Sequence, residues 1–160
     1  MTTPKGIKTQ KTELWMLSID AVPAVVKVGA FTDFSGLGAA KTQIDATDMD
    51  SDAKEYFPGL KDNGTFSSNL NLVPGDPGQL AVQAVDDADA TTTFAVCLSD
   101  GKNPPTLASG VMTAPASRSS FMFTASVNQF TISGAADNLI KAAVQLRISG
   151  PVTKTYMPAA

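Results

Sequence analysis

At 160 residues, 43% of them hydrophobic, the chain is long enough to build one domain around its own core and too apolar to be disordered. The net charge of −3, with arginine only at Arg118 and Arg147, argues against a protein that grips phosphate backbones, and 17% charged residues leave little repulsion to hold copies apart. The absence of histidine removes imidazole bases, His-containing triads and His metal sites together, and the lone Cys97 excludes an intrachain disulfide.

Residues 1–11 are polar and carry Lys5, Lys8 and Lys11, as expected of a flexible N-terminal arm able to dock on a neighbouring copy. No stretch is apolar for long enough to cross a bilayer, and the segment starting at Leu14 is cut by Asp20 and Pro23. Neither a membrane span nor a signal peptide is expected, so the chain reads as cytosolic. Residues 14–19 and 22–28 read as two strands, or as one interrupted at Pro23, which a central strand does not tolerate. Trp15 belongs to core or interface. Residues 32–40, with Gly36 and Gly38, read as loop, and a short strand then ends at residues 44–47.

The densest charge follows. Six acids, Asp45, Asp48, Asp50, Asp52, Glu55 and Asp62, face only Lys54 and Lys61, and the segment closes with Tyr56-Phe57-Pro58-Gly59-Leu60. Residues 48–57 can form a short helix, since Asp48 or Ser51 supplies an N-cap, acids occupy the first turn and Pro58-Gly59 stops it. Asp48, Asp50 and Asp52 match the start of a calcium-binding loop, but Ala53 and Gly59 stand where that loop needs Gly and Glu, so no metal is expected. Tyr56 and Phe57 are expected to anchor the acidic excursion onto the body. Asn63-Gly64 reads as a turn rather than a glycosylation site. From Thr65 the period becomes two, with Phe66, Ser68, Leu70 and Leu72 on a dry face and Thr65, Ser67, Asn69 and Asn71 on a wet one.

Asp76, Pro77 and Gln79 predict a helix start with a capping box, and Leu80, Ala81, Ala84, Val85 and Ala88 its apolar stripe; Asp86, Asp87 and Asp89 oppose the helix dipole and end it. Residues 91–98 are a strand burying Phe94, Val96 and Leu98. Residues 99–105 are a turn, 106–113 a short strand and 114–119 a loose link. Phe121, Phe123, Ala125 and Val127 alternate into a strand that continues through residues 130–133 beyond a bulge. The last strand, residues 141–149, buries Ala142, Val144, Leu146 and Ile148. About seven or eight strands with one helix predict a β-sandwich or barrel-like domain closed over by that helix.

Little of this carries reactive chemistry. Gly36-Leu37-Gly38 lacks the third glycine of a phosphate loop, and Trp15, Tyr56 and Phe57 lack the basic neighbours of a base-stacking surface. No enzyme activity and no cofactor are expected. Strands with Ser, Thr, Asn and Gln on one face suit a structural subunit, because that face can line a hydrated surface while the other is buried.

The block Ile44-Asp45-Ala46-Thr47-Asp48-Met49-Asp50-Ser51-Asp52-Ala53-Lys54-Glu55, followed by Pro58-Gly59-Leu60-Lys61-Asp62-Asn63-Gly64-Thr65-Phe66, resembles a signature of the major tail tube proteins of long-tailed, non-contractile (siphovirus, lambda-like) bacteriophages. Ala142-Ala143-Val144-Gln145-Leu146-Arg147-Ile148-Ser149-Gly150-Pro151 is similar to that family's closing strand, and the resemblance covers about residues 10–155. It implies a mostly β phage tail tube fold with one flanking α-helix and a long acidic inter-strand loop, as a single domain over residues 12–155 between the arm 1–11 and a short tail 156–160. The implied role is a structural protein of the virion tail, made in the host cytoplasm, that self-assembles into stacked hexameric rings forming the channel for genome ejection. Implied partners are further copies of itself and terminator, tape measure and distal tail proteins, with DNA passing without specific binding. Carried onto this chain, residues 45–65 become the stacking or inter-subunit excursion. Its contact residues would be Asp45, Asp48, Asp50, Asp52, Glu55, Tyr56, Phe57, Leu60, Lys61 and Asp62, with Lys5, Lys8, Lys11 and Arg147 of a neighbour supplying the basic side. The alternatives are a tail terminator, the tube protein of a contractile apparatus, or, from another class, a monomeric β-sandwich binding module.

Overall fold

The alternating and β-branched runs become strands, and the Asp76-Pro77 start becomes the helix. The structure, a computed structural model, describes residues 5–158; residues 1–4 of the expected arm and 159–160 of the expected tail lie outside the described residues. The order is β1 (Glu13–Leu17), β2 (Val25–Val28), β3 (Phe31–Ser35), β4 (Ala40–Asp45), β5 (Tyr56–Asp62), β6 (Thr65–Asn71), α1 (Pro77–Asp87), β7 (Thr91–Cys97), β8 (Thr106–Ala108), β9 (Val111–Thr113), β10 (Ser120–Ser133) and β11 (Lys141–Thr155). Seven strands pair in the order β2-β1-β7-β10-β11-β6-β3, while β4–β5 and β8–β9 form separate two-stranded hairpins. All pairings are antiparallel.

Closure of the sheet follows from its connectivity. β2 and β3 stand at opposite ends of the strand order, yet only Gly29 and Ala30 separate them in the chain. They run in the same direction, so they act as one bent strand that joins β1 on one side and β6 on the other. The sheet is thereby rolled until its edges meet, which gives the barrel-like architecture expected. Leu14, Met16 and Val28 enter the core from one side, Phe66 and Leu70 from the other, and Phe94, Phe123 and Leu146 from between them. Phe34, Phe66, Phe123 and Phe94 form a continuous aromatic row, with successive ring centroids 6.3, 5.5 and 6.0 Å apart. Val82 and Val85 of α1 close the same core.

The helix start is bonded differently from a capping box. Asp76 accepts from the backbone N–H of Gln79 at 2.9 Å and of Gly29 at 3.0 Å. Gln79 does not reach back to Asp76; it is buried, accepts from Val73 N–H and donates to the carbonyls of Gly29 and Asn71. The helix therefore reads the β2–β3 corner through side-chain hydrogen bonds. Its buried face is Gly78, Gln79, Val82 and Val85, and Leu80 of the expected stripe is half exposed. Gly78 fixes this rotation, because it lies against the Lys27 carbonyl with no room for a Cβ.

Other expectations are corrected by pairing that local pattern does not report. Residues 32–35 of the stretch 32–40 read as loop belong to β3, because β6 offers them an edge. Residues 106–113 are a hairpin turning at Ser109 (φ 51°) and Gly110 (φ 75°), not a single strand. β11 does not stop at residue 149; it continues to Thr155 across an irregularity at Gly150 (φ 81°), because β10 is long enough to pair with it throughout. Residues 48–57 form no helix: Asp48 Oδ1 accepts from Asp50 N–H and from the Ser51 hydroxyl, but the chain then turns back and pairs from Tyr56 onward with β4. β7 is buried on both faces, since Ala95 and Cys97 pack with Met112 into a second small cluster that Trp15 partly covers.

Candidate functional site

The β4–β5 hairpin projects from the domain. Every residue of β4 is exposed, and in β5 only Gly59 is partly covered. Ile44 is paired across the strands with Phe57, and Asp45 with Tyr56. Phe57 is 63% exposed, Leu60 88% and Met49 101%, so Tyr56 and Phe57 do not anchor this segment onto the body as expected. Large apolar side chains on a two-stranded ribbon, open to solvent in the isolated chain, form a surface that a partner can cover.

The acids of this segment shape its tip and base. At the tip, Asp45 accepts from Thr47 N–H, and its carboxyl is held below the usual range by the Thr47 hydroxyl and amide. Glu55 closes the loop through Ala46 N–H to its carbonyl and through its own N–H to the Thr47 hydroxyl. At the base, Asp62 accepts from Gly64 N–H and pairs with Arg147 at 3.0 Å; these bonds, the first the larger, lower its carboxyl. Arg147 is thus paired within its own chain. Asn63 is buried and donates to the Gly150 carbonyl at 2.6 Å, which ties the hairpin's exit to β11. Lys41 lies directly opposite Lys61, both exposed. Asp50 and Asp52 are exposed, and among the described residues no group of three or more His, Cys, Asp or Glu side chains is placed to hold a metal ion.

A feature not read from the sequence lies at the start of the domain. Arg118 is 1% exposed and donates to Glu13 Oε2 at 2.7 Å and to the carbonyls of Leu98, Asn103, Lys11 and Cys97. Glu13 also accepts from Lys27 at 2.7 Å and from Trp15 Nε1 at 3.1 Å. Burial alone would raise the Glu13 carboxyl, but the bonds from Lys27, Arg118 and Trp15, with the Arg118 charge, bring it down to about 2. Burial raises the nearby Cys97 thiol to about 11, which leaves it unreactive. The arm meets this network: Lys11 (φ 68°) gives its carbonyl to Arg118, and Lys8 gives its carbonyl to the Ser99 hydroxyl. Lys5 lies on the same exposed segment. One signal for the network was available, since Arg118 is the only charged residue between Lys102 and Asp137.

The outward face of β3, β6 and β11 is polar and carries Asp33, Lys141 and Arg147 among its amides and hydroxyls. Asp33, Ser35, Ser67, Asn69 and Gln145 line a shallow groove there, where Asn69 donates to Asp33 at 3.0 Å.

Comparisons with known proteins bear on the family and the fold. The family described as phage tail tube, TTP, lambda-like matches residues 5–157. "Structural protein 3" of Pseudomonas phage PAJU2 is 29% identical over 149 residues, which cover 90% of each chain. Among solved structures, the SPP1 tail tube superposes with a TM-score of 0.67 at 15% identity, covering 93% of this chain and 78% of that one. The sheath/tube terminator of the PVC extracellular contractile injection system, in its extended state, gives a TM-score of 0.67 at 11% identity over 97% of this chain and all of its own. At these identities the solved structures share the fold.

Proposed function

Because the chain belongs to the lambda-like phage tail tube family, we propose that it is the repeating subunit of a virion tail tube, assembled as hexameric rings that stack around a channel for genome ejection. The observation that carries the reading, beyond the family, is the β4–β5 hairpin, whose Ile44, Tyr56, Phe57 and Leu60 are open to solvent. Burying them between copies supplies apolar association energy at a surface the monomer leaves unused. The acids around the hairpin tip set the register of that contact against basic residues of the next copy, with Lys5, Lys8 and Lys11 as their partners.

The polar face of β3, β6 and β11 suits the channel wall. Its amides and hydroxyls hold water, and its Arg147 is paired with Asp62, so phosphates gain little there and DNA passes without being held. In this role the chain performs no chemistry, assembles in the host cytoplasm, and meets terminator, tape measure and distal tail proteins at the tube's ends and lumen. Replacing Phe57 and Leu60 together by Ser tests the reading. The variant should unfold at the same temperature as the unsubstituted monomer and fail to sediment as tubes; tubes of normal yield from the variant would overturn it.

A further inference from the structure

Asn63 is the one asparagine of the chain that is followed by glycine. In such a pair the following amide nitrogen, unhindered by a Cβ, can attack the side-chain amide. The Gly64 nitrogen loses its proton and bonds to Asn63 Cγ; the Cγ–Nδ2 bond breaks, and Nδ2 leaves with that proton as ammonia. Water then opens the five-membered imide at either carbonyl, giving aspartate or its isomer linked through the side chain.

Every group that must move in this reaction is bonded in the folded chain. Asn63 is 7% exposed, and Nδ2, the leaving nitrogen, donates to the Gly150 carbonyl at 2.6 Å. That carbonyl lies where β11 departs from the ladder, since Gly150, Pro151 and Val152 stand opposite Phe123 alone. The attacking Gly64 N–H is donated to Asp62 Oδ1 at 2.9 Å. A carboxylate at that place opposes the negative charge that the nitrogen carries once its proton has gone. The Gly64 carbonyl in turn accepts from Ile148 N–H at 3.1 Å.

The product cannot rebuild these bonds. A carboxylate at position 63 has no proton to donate, so it would set an acceptor against the Gly150 carbonyl, in a covered position and beside the charge of Asp62. The isomer also adds an atom to the main chain between β5 and β6. We infer that Asn63 is a latent site of spontaneous deamidation, held closed by the Gly150 carbonyl and Asp62, and that its reaction unfastens the base of the β4–β5 hairpin. A chain left unfolded, or with that base open, is altered irreversibly, while the folded chain stays intact. This chemistry belongs to the single chain and does not depend on assembly.

Peptide mapping by mass spectrometry tests it, on unassembled protein kept folded in buffer and on the same protein in guanidinium chloride, at one pH and temperature. Conversion of Asn63 to acid should be roughly tenfold slower in the folded chain, the factor that having to release one hydrogen bond gives. Folded Asp62→Ala should convert faster than the unsubstituted protein, whereas Arg147→Met, which breaks only the pair with Asp62, should not. Asn63→Asp should lower the urea midpoint of the monomer, and a variant too unstable to purify counts the same way. Equal rates in the folded and unfolded chains, or slower conversion in Asp62→Ala, overturn the lock. An unmoved midpoint in Asn63→Asp overturns the consequence for the hairpin.

Discussion

Replacing Glu13 by Gln keeps the shape of the side chain and removes the charge that Arg118 and Lys27 share. In the folded chain the carboxyl lies at about 2 against an ordinary 4.5, a difference worth roughly 3 kcal/mol at about 1.4 kcal/mol per unit. The Lys27 side chain is 49% exposed and that of Glu13 22%, so solvent screens part of the contribution and about 2 kcal/mol is the better figure. The folded carboxyl holds its proton more weakly than the unfolded one, so this contribution is complete above about 4.5 and is lost as pH falls toward about 2. Urea denaturation of unassembled protein at a series of pH values measures it. Glu13→Gln should be about 2 kcal/mol less stable at neutral pH, with the gap closing through that acid window. Equal stabilities at neutral pH, or a gap that widens in acid, would refute the placement of Glu13 as the counter-ion of a buried arginine. Removing both partners, as Glu13→Gln with Arg118→Met, should cost less than the two single changes added together, since neither then leaves the other unpaired.

Reversing charge at Asp48, Asp50 and Asp52 together should leave thermal unfolding of the monomer unchanged and abolish sedimentable tubes; normal tube growth would remove these acids from the contact. Gln79→Leu strands the Val73 N–H and the carbonyls of Gly29 and Asn71, and should cost about 2–4 kcal/mol in chemical denaturation. A cost near zero would show that α1 is held by its apolar face alone. Arg147→Met breaks only the exposed pair with Asp62, so monomer melting should be unmoved; a large drop would mean that this pair, rather than Asn63, fixes the base of the hairpin.

How much of this was legible in the sequence depended on range. Period-two runs in β6, β10 and β11 report their own burial, because a strand with one face in the core must alternate, and Phe66, Leu70, Phe123, Ala142, Val144 and Leu146 were read correctly as inward. The Asp76-Pro77 helix start was local as well. Gln79 was misread because three residues after a cap it can close the cap or serve another segment, and only the β2–β3 corner decides between them. β3 was missed for the same reason: Phe31-Thr32-Asp33-Phe34-Ser35 becomes a strand through an edge offered more than thirty positions later. The segment's acids and aromatics were visible as a unit, but its limits were not: the excursion read over residues 45–65 is a hairpin of strands Ala40–Asp45 and Tyr56–Asp62, and whether Tyr56 and Phe57 turn inward or outward is a tertiary fact. Arg118 was the largest omission. A lone arginine in a Ser- and Ala-rich link looks like solvent-exposed charge, and its burial depends on four carbonyls and a carboxylate drawn from separate segments.

Electron microscopy of the purified protein, taken through a concentration series, tests the central claim most directly. The account predicts rings with sixfold symmetry that stack into tubes of regular repeat around an open channel. A monodisperse, unassembled protein at high concentration, with no rings and no tubes, would contradict it.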